Sequence, residues 1–105
     1  PPGMAGNELE PHQDPALIEI AEAVSKTGKA PKDLVKRTII DLCTDRFLSL
    51  RDLSALLNRE QETLRTGFIS KMVREGLLEL RYPDIPSHRE QAYRTASKAT
   101  AEVSP

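Results

Sequence analysis

Between Leu64 and Arg81 the spacing of apolar residues changes its period. Leu64, Phe68, Ile69, Met72 and Val73 recur at helical spacing and mark one face of an amphipathic helix. Gly76 reads as its stop. In "LLELRY" Leu78 and Leu80 then alternate with Glu79 and Arg81, the two-residue period of a half-buried strand. "QAYRT" returns beside it as a second strand, with Tyr93 a candidate for the core. A helix that runs through one glycine into a strand pair restricts the fold to a mainly α class with a small β-hairpin.

Upstream of this junction every pattern is helical. "PALIEIAEAVSK" carries Leu17, Ile20, Ala21 and Val24 at helix spacing, with Asp14 as cap, Pro15 at the first helical position and Gly28 as the stop. A second helix starts near Pro31 and runs through "KDLVKRTIIDLCTDR", its stripe being Val35, Ile39, Leu42 and Cys43. "FLSL" is long enough for one strand-like bridge. In "SLRDLSALLN" Ser49 is a good N-cap and Asp52 stands three residues on, a variant of the capping box. Leu53, Leu56 and Leu57 form the apolar face, and Asn58 can take the left-handed conformation that ends the helix. Residues 1–14, rich in proline, glycine and polar side chains, read as a disordered linker or expression remnant. Residues 96–105 read as a disordered tail, which leaves 15–95 as the domain.

Charge and chemistry exclude several classes of function. The chain has 105 residues, a net charge of −1 and only 4% aromatic residues. Its acidic excess lies in residues 1–30 and a mild basic excess in 31–95, so charge alone does not single out nucleic acid. Cys43 is the one cysteine and reads as a small buried hydrophobe rather than a reactive thiol. No apolar run reaches membrane length and no signal-peptide pattern is present, so a cytoplasmic, reducing setting is expected. His12, His88 and Cys43 do not make a metal-site spacing. No phosphate loop, nucleophile motif or acid–base cluster appears. The expectation is no enzyme, no cofactor, no metal and no small-molecule substrate.

The order helix, bridge, helix, helix, strand, loop, strand is the winged helix-turn-helix plan, preceded here by an extra N-terminal helix. Residues 58–60 are a turn short enough for it. In such a fold the second helix of the motif lies in the major groove of duplex DNA. Thr63, Thr66, Gly67, Ser70 and Arg74 fall opposite its apolar stripe, with Arg59 at its start. Thr63, Thr66 and Ser70 are the candidates for base edges. Arg59, Lys71, Arg74, Arg89 and Arg94 are the candidates for phosphates. Gly67 allows close backbone approach. Arg65 falls near the middle of the apolar stripe, where snorkelling or pairing with a carboxylate is expected. Glu60 and Glu62 suit the helix dipole but oppose phosphate binding. The loop between the strands would be the wing, with Arg81, His88, Arg89 and Arg94, and with Pro83 and Pro86 stiffening it. The same prolines equally suit protection of a sheet edge.

The segment "IIDLCTDRFLSLRDLSALLNREQETLRTGFISKMVREGLLELRYPDIPSHREQAYRT" resembles a known group. "LSLRDLSALLNR", "MVREGLLEL" and above all "YPDIPSHREQAYR" are similar to the C-terminal winged-helix domain of bacterial AlbA-type or ATP-binding regulators, often described as RecG-like helicases. Similar domains end some Fic-type proteins. The resemblance covers residues 39–95. It implies a bacterial DNA-binding or transcription-regulating role, with any ATPase or transferase activity in another domain and this chain a C-terminal fragment. The alternative kept beside it is a winged helix for protein–protein interaction or dimerisation, with the N-terminal helix, residues 15–26, as the adhesive element through Leu17, Ile20 and Val24.

Overall fold

The computed structural model describes residues 11–96. The expectations for residues 1–10 and 97–105 lie outside the described residues. The described chain is mainly helical with one small antiparallel sheet. A 3-10 turn, Pro11–Gln13, leads into α1 (Pro15–Ser25), α2 (Lys32–Cys43) and α3 (Leu50–Leu57). A long helical rod follows, made of α4 (Gln61–Leu64), a π turn (Arg65–Ile69) and α5 (Ser70–Arg74). The strands β1 (Leu78–Leu80) and β2 (Tyr93–Thr95) close the order.

Local chemistry accounts for most helix ends. The Asp14 carboxylate accepts from the Ala16 N–H at 2.9 Å, with Pro15 opening α1. At α3 the capping box is complete: the Ser49 hydroxyl accepts from the Asp52 N–H at 3.0 Å and the Asp52 side chain accepts from the Ser49 backbone. Asn58 ends α3 at φ 55°, ψ 49°. Gly76, at φ 81°, turns the chain from α5 into β1, a conformation that glycine adopts without a Cβ clash.

Three boundaries differ from expectation. α1 ends at Ser25, before Gly28, which is not left-handed. α2 ends at Cys43 rather than Arg46, because Thr44 turns extended at ψ 125° and Asp45 follows at φ 62°. The Arg46 guanidinium turns back and caps the Leu42 carbonyl at 2.8 Å. At the other end, residues 11–14 belong to the fold: the His12 ring lies 3.4 Å from the Asp52 carboxylate on α3.

The core is aliphatic. Leu17, Ile39, Leu42, Leu48, Leu53, Leu57, Leu64, Ile69 and Met72 are fully buried among α1, α2, α3, the rod and the sheet. Each such side chain stabilises the fold by about 1.5–3 kcal/mol relative to exposure. Leu17, Ala21 and Val24 of α1 are part of this core, so α1 is integral to it. Ile20, expected on the same stripe, is 38% exposed, and Ile18 is 40% exposed on the opposite flank.

The sheet lies against α2. Register pairs Leu78 with Thr95, Glu79 with Arg94 and Leu80 with Tyr93. On the far edge of β2, Tyr93 and Leu48 exchange both backbone hydrogen bonds, at 2.8 and 2.9 Å. "FLSL" therefore supplies the single bridge expected of it. The buried Thr95 hydroxyl donates to the Ile40 carbonyl at 2.6 Å and ties β2 to α2. This fixes the direction in which the loop between the strands, residues 81–92, leaves the body.

Candidate nucleic-acid interface

The turn between α3 and the rod is held from inside by Arg59. Its guanidinium donates to the carbonyls of Thr27 at 2.6 Å and Val24 at 3.2 Å, at the end of α1. It also donates to the carbonyls of Asn58 and Leu57, at 3.1 and 3.2 Å. The Ser54 hydroxyl in turn donates to the Arg59 carbonyl. Arg59 was expected at a phosphate. Here it bonds carbonyls at two helix ends and clamps α1 to the turn, so it leaves the set of free cations.

The rod presents a broad polar face. Thr63, Thr66, Gly67, Ser70, Lys71 and Arg74 are all exposed. The Thr66 hydroxyl donates to the Glu62 carbonyl at 2.8 Å, which leaves its oxygen free to accept. The Lys71 and Arg74 side chains make no hydrogen bond or ion pair with another described residue. A Cβ built at Gly67 meets nothing within 4 Å, so no neighbour in the fold requires glycine there.

The π turn decides where Arg65 points. In a regular α-helix Ile69 would lie about 140° away from Leu64. The Ser70 N–H instead reaches the Arg65 carbonyl, five residues back. The wider turn brings Ile69 onto the buried side with Leu64 and moves Arg65 out to solvent. Both Glu62 carboxylate oxygens then lie 2.7 Å from the Arg65 guanidinium. Arg65 thus pairs with a carboxylate, as expected, although from the surface. The bond with Glu62 raises its pKa and cancels one of the two negative charges at the start of the rod.

The 81–92 loop is organised by one buried amide. Gln91 is 8% exposed. Its Oε1 accepts from the N–H groups of Tyr82 at 2.9 Å and Ala92 at 3.2 Å. Its Nε2 donates to the carbonyls of Tyr82 at 2.9 Å and of Ile85 and Pro86, each at 3.2 Å. The His88 ring stacks on Tyr82 with centroids 3.9 Å apart and planes 6° from parallel. Its Nδ1 accepts from the Glu90 N–H at 2.9 Å, which places the proton of the neutral ring on Nε2. Sequence reasoning missed Gln91. Nothing in its local pattern separates an amide folded inward from one in solvent.

The cations of this region fall into two groups. Arg94 donates to Glu79 across the sheet at 2.9 Å and lies 4.7 Å from the centre of the Phe47 ring, so its charge is compensated. Arg81 lies 5.5 Å from the Tyr82 ring centre. Arg89 is exposed, and its side chain makes no hydrogen bond or ion pair with another described residue.

The rod and the loop stand side by side. A cleft of about 440 Å3 separates them, with Ser70 and Val73 on the rod facing Pro86 and Ser87 on the loop and Tyr93 and Leu80 below. Among the described residues no group of acidic, histidine and cysteine side chains could hold a metal ion. Burial raises the Cys43 thiol from 9.0 to about 12, which makes it a poor nucleophile. No helix among the described residues is long and apolar enough to cross a membrane. In comparison with known proteins, the chain matches no family model, and no curated protein or solved structure matches it.

Proposed function

We propose that this chain is a non-enzymatic winged helix-turn-helix module that binds duplex DNA. The rod enters the major groove, with Thr63, Thr66 and Ser70 toward base edges and Lys71 and Arg74 toward phosphates. The 81–92 loop is the wing and brings Arg89 to the adjacent backbone. One observation carries the reading: an exposed, hydroxyl-bearing helix face stands beside a loop that Gln91 holds rigid, with a cleft between them. The pairing of Glu62 with Arg65 supports it, because it removes a charge that would repel phosphate. Arg59 and Arg94 serve the fold in this reading and are not phosphate contacts.

The test is a titration of a fluorescent random-sequence duplex at several salt concentrations. Three phosphate contacts give a slope of log K against log salt of about −3. Replacing Lys71, Arg74 or Arg89 by glutamine lowers that slope by about 1 each and weakens all sequences alike. Absence of binding at the lowest salt sinks the reading. The second reading, a dimerisation or partner-docking domain, rests on exposed Ile18 and Ile20 of α1. Sedimentation separates the two: a monomer that retards duplex favours the first, a dimer indifferent to duplex the second.

A further inference from the structure

A second cleft opens on the α3 side of the 81–92 loop. Its volume is about 370 Å3, and Ser49, Arg51 and Gln61 face Ser87, His88 and Arg89 across it. Arg51 comes from the first turn of α3 and took no part in the sequence reading. Arg51 and Arg89 are both exposed, and neither side chain makes a hydrogen bond or ion pair with another described residue. The contrast with Arg46, Arg59, Arg65 and Arg94 is sharp, since each of those is bonded to a carbonyl or a carboxylate.

No carboxylate lines this cleft. The nearest acid on α3, Asp52, is engaged by Ser49 and His12. The capping box engages the Ser49 and Asp52 N–H groups at the start of the helix, and the charge offered to a ligand here comes from side chains. The composition is selective: two guanidinium groups with the Ser87 hydroxyl and the Gln61 amide in the same lining suit a phosphate, which takes several donors and repels carboxylates. The cleft beside Lys71 fits an anion less well. Asp33 and Glu75 line it, and Glu75 lies 3.6 Å from Lys36.

Resting on the DNA-binding reading, we infer that Arg51 and Arg89 form a clamp for one backbone phosphate of duplex DNA. The clamp draws α3 and the loop onto the same strand while the rod occupies the groove. Pro86, Ser87 and Tyr93 line both this cleft and the one along the rod, so the two clefts flank the same part of the loop.

The experiment is anisotropy with a fluorescent random-sequence duplex, for the wild type, Arg51→Gln, Arg89→Gln and the double variant, across a salt series. Thermal melts confirm that the variants stay folded, as expected for side chains that hold no partner. Each single substitution is expected to weaken binding about tenfold and to lower the salt slope by about 1. The double variant is expected to fall far short of the hundredfold product and to lower the slope no further, because the first change already empties the shared site. Wild-type affinity in Arg51→Gln, or a full hundredfold loss in the double variant, overturns the clamp and leaves the DNA-binding reading standing. A wild type that does not bind duplex at low salt overturns both.

Discussion

Replacing Gln91 by alanine isolates the contribution of one amide to the loop. The side chain is 8% exposed and meets two N–H groups and three carbonyls. A net hydrogen bond contributes about 1 kcal/mol, and a buried donor left without a partner costs about 1–3 kcal/mol. The two Nε2 protons are shared among three carbonyls, and the Ile85 and Pro86 carbonyls lie on exposed residues and regain water. The Ala92 N–H belongs to a residue 5% exposed and does not regain it so easily. The Tyr82 pair therefore counts in full and the rest in part, which gives a loss of about 2 kcal/mol. For a chain of this size a urea m-value of about 1 kcal/mol/M turns that into a midpoint about 2 M lower. The strand register and the Leu48–Tyr93 bridge do not depend on Gln91, so the loop loosens before the core does. Trypsin cleavage after Arg89 should accelerate in native buffer, and in the DNA-binding reading duplex affinity should fall as well. Gln91→Glu keeps both accepting positions but points a carboxylate at three carbonyls, and it should be as unstable as the alanine variant. An alanine variant with an unchanged urea midpoint and an unchanged cleavage rate would refute the assignment of Gln91 as the pin of the loop.

Arg59→Ala removes four guanidinium–carbonyl contacts. It should destabilise the fold by about 2 kcal/mol, seen as a melting temperature about 10 °C lower, and in the DNA-binding reading the salt slope should stay unchanged. Gly67→Ala meets open space and should raise stability by about 0.5–1 kcal/mol in a thermal melt. In the DNA-binding reading it should weaken duplex binding at the same time, since a methyl group then stands on the face that approaches the groove. Cys43 should resist a thiol-specific disulfide reagent in the native state and react at once in denaturant. Its pKa is raised on folding from 9.0 to about 12 by burial. Its contribution to stability is thus complete below pH 9.0 and is lost as pH rises toward 12, at about 1.4 kcal/mol per pH unit. A Cys43→Ser variant should flatten that part of the pH profile.

What could be read in advance was local in sequence. The Asp14 cap, the Ser49–Asp52 box, the left-handed Asn58 and the Gly76 turn each involve a side chain bonding to, or bending, backbone a few residues away. Such signals survive without knowledge of the tertiary fold. The apolar stripes of α2 and α3 were legible for the same reason, because their period is regular and each faces one core. What could not be read was nonlocal. Arg59 reaches Thr27, 32 residues back in the chain. Arg94 finds Glu79 only through strand register. Gln91 turns inward because the loop carbonyls converge on it. An arginine in the sequence is equally suited to a phosphate and to a helix end, and only the fold decides between them. Two of the expected phosphate contacts are bonded within the protein for this reason.

The π turn carries the same lesson into the rod itself. A wheel drawn with 3.6 residues per turn sets Arg65 among Leu64, Phe68 and Ile69, and the cost of burying its charge then demands a snorkel or a buried partner. The π turn, closed by the i→i−5 bond from Ser70 to Arg65, relieves this conflict. Leu64 and Ile69 become the buried pair, Phe68 moves to the edge, and Arg65 emerges beside Glu62. The distortion sits at Gly67, the residue least resistant to a change of backbone angle. It also rotates Ser70 toward the loop and leaves Lys71 on the α2 side. The position of the π turn therefore sets which polar residues of the rod share a surface with the loop. A partner that bridges the two must meet Ser70 before it meets Lys71.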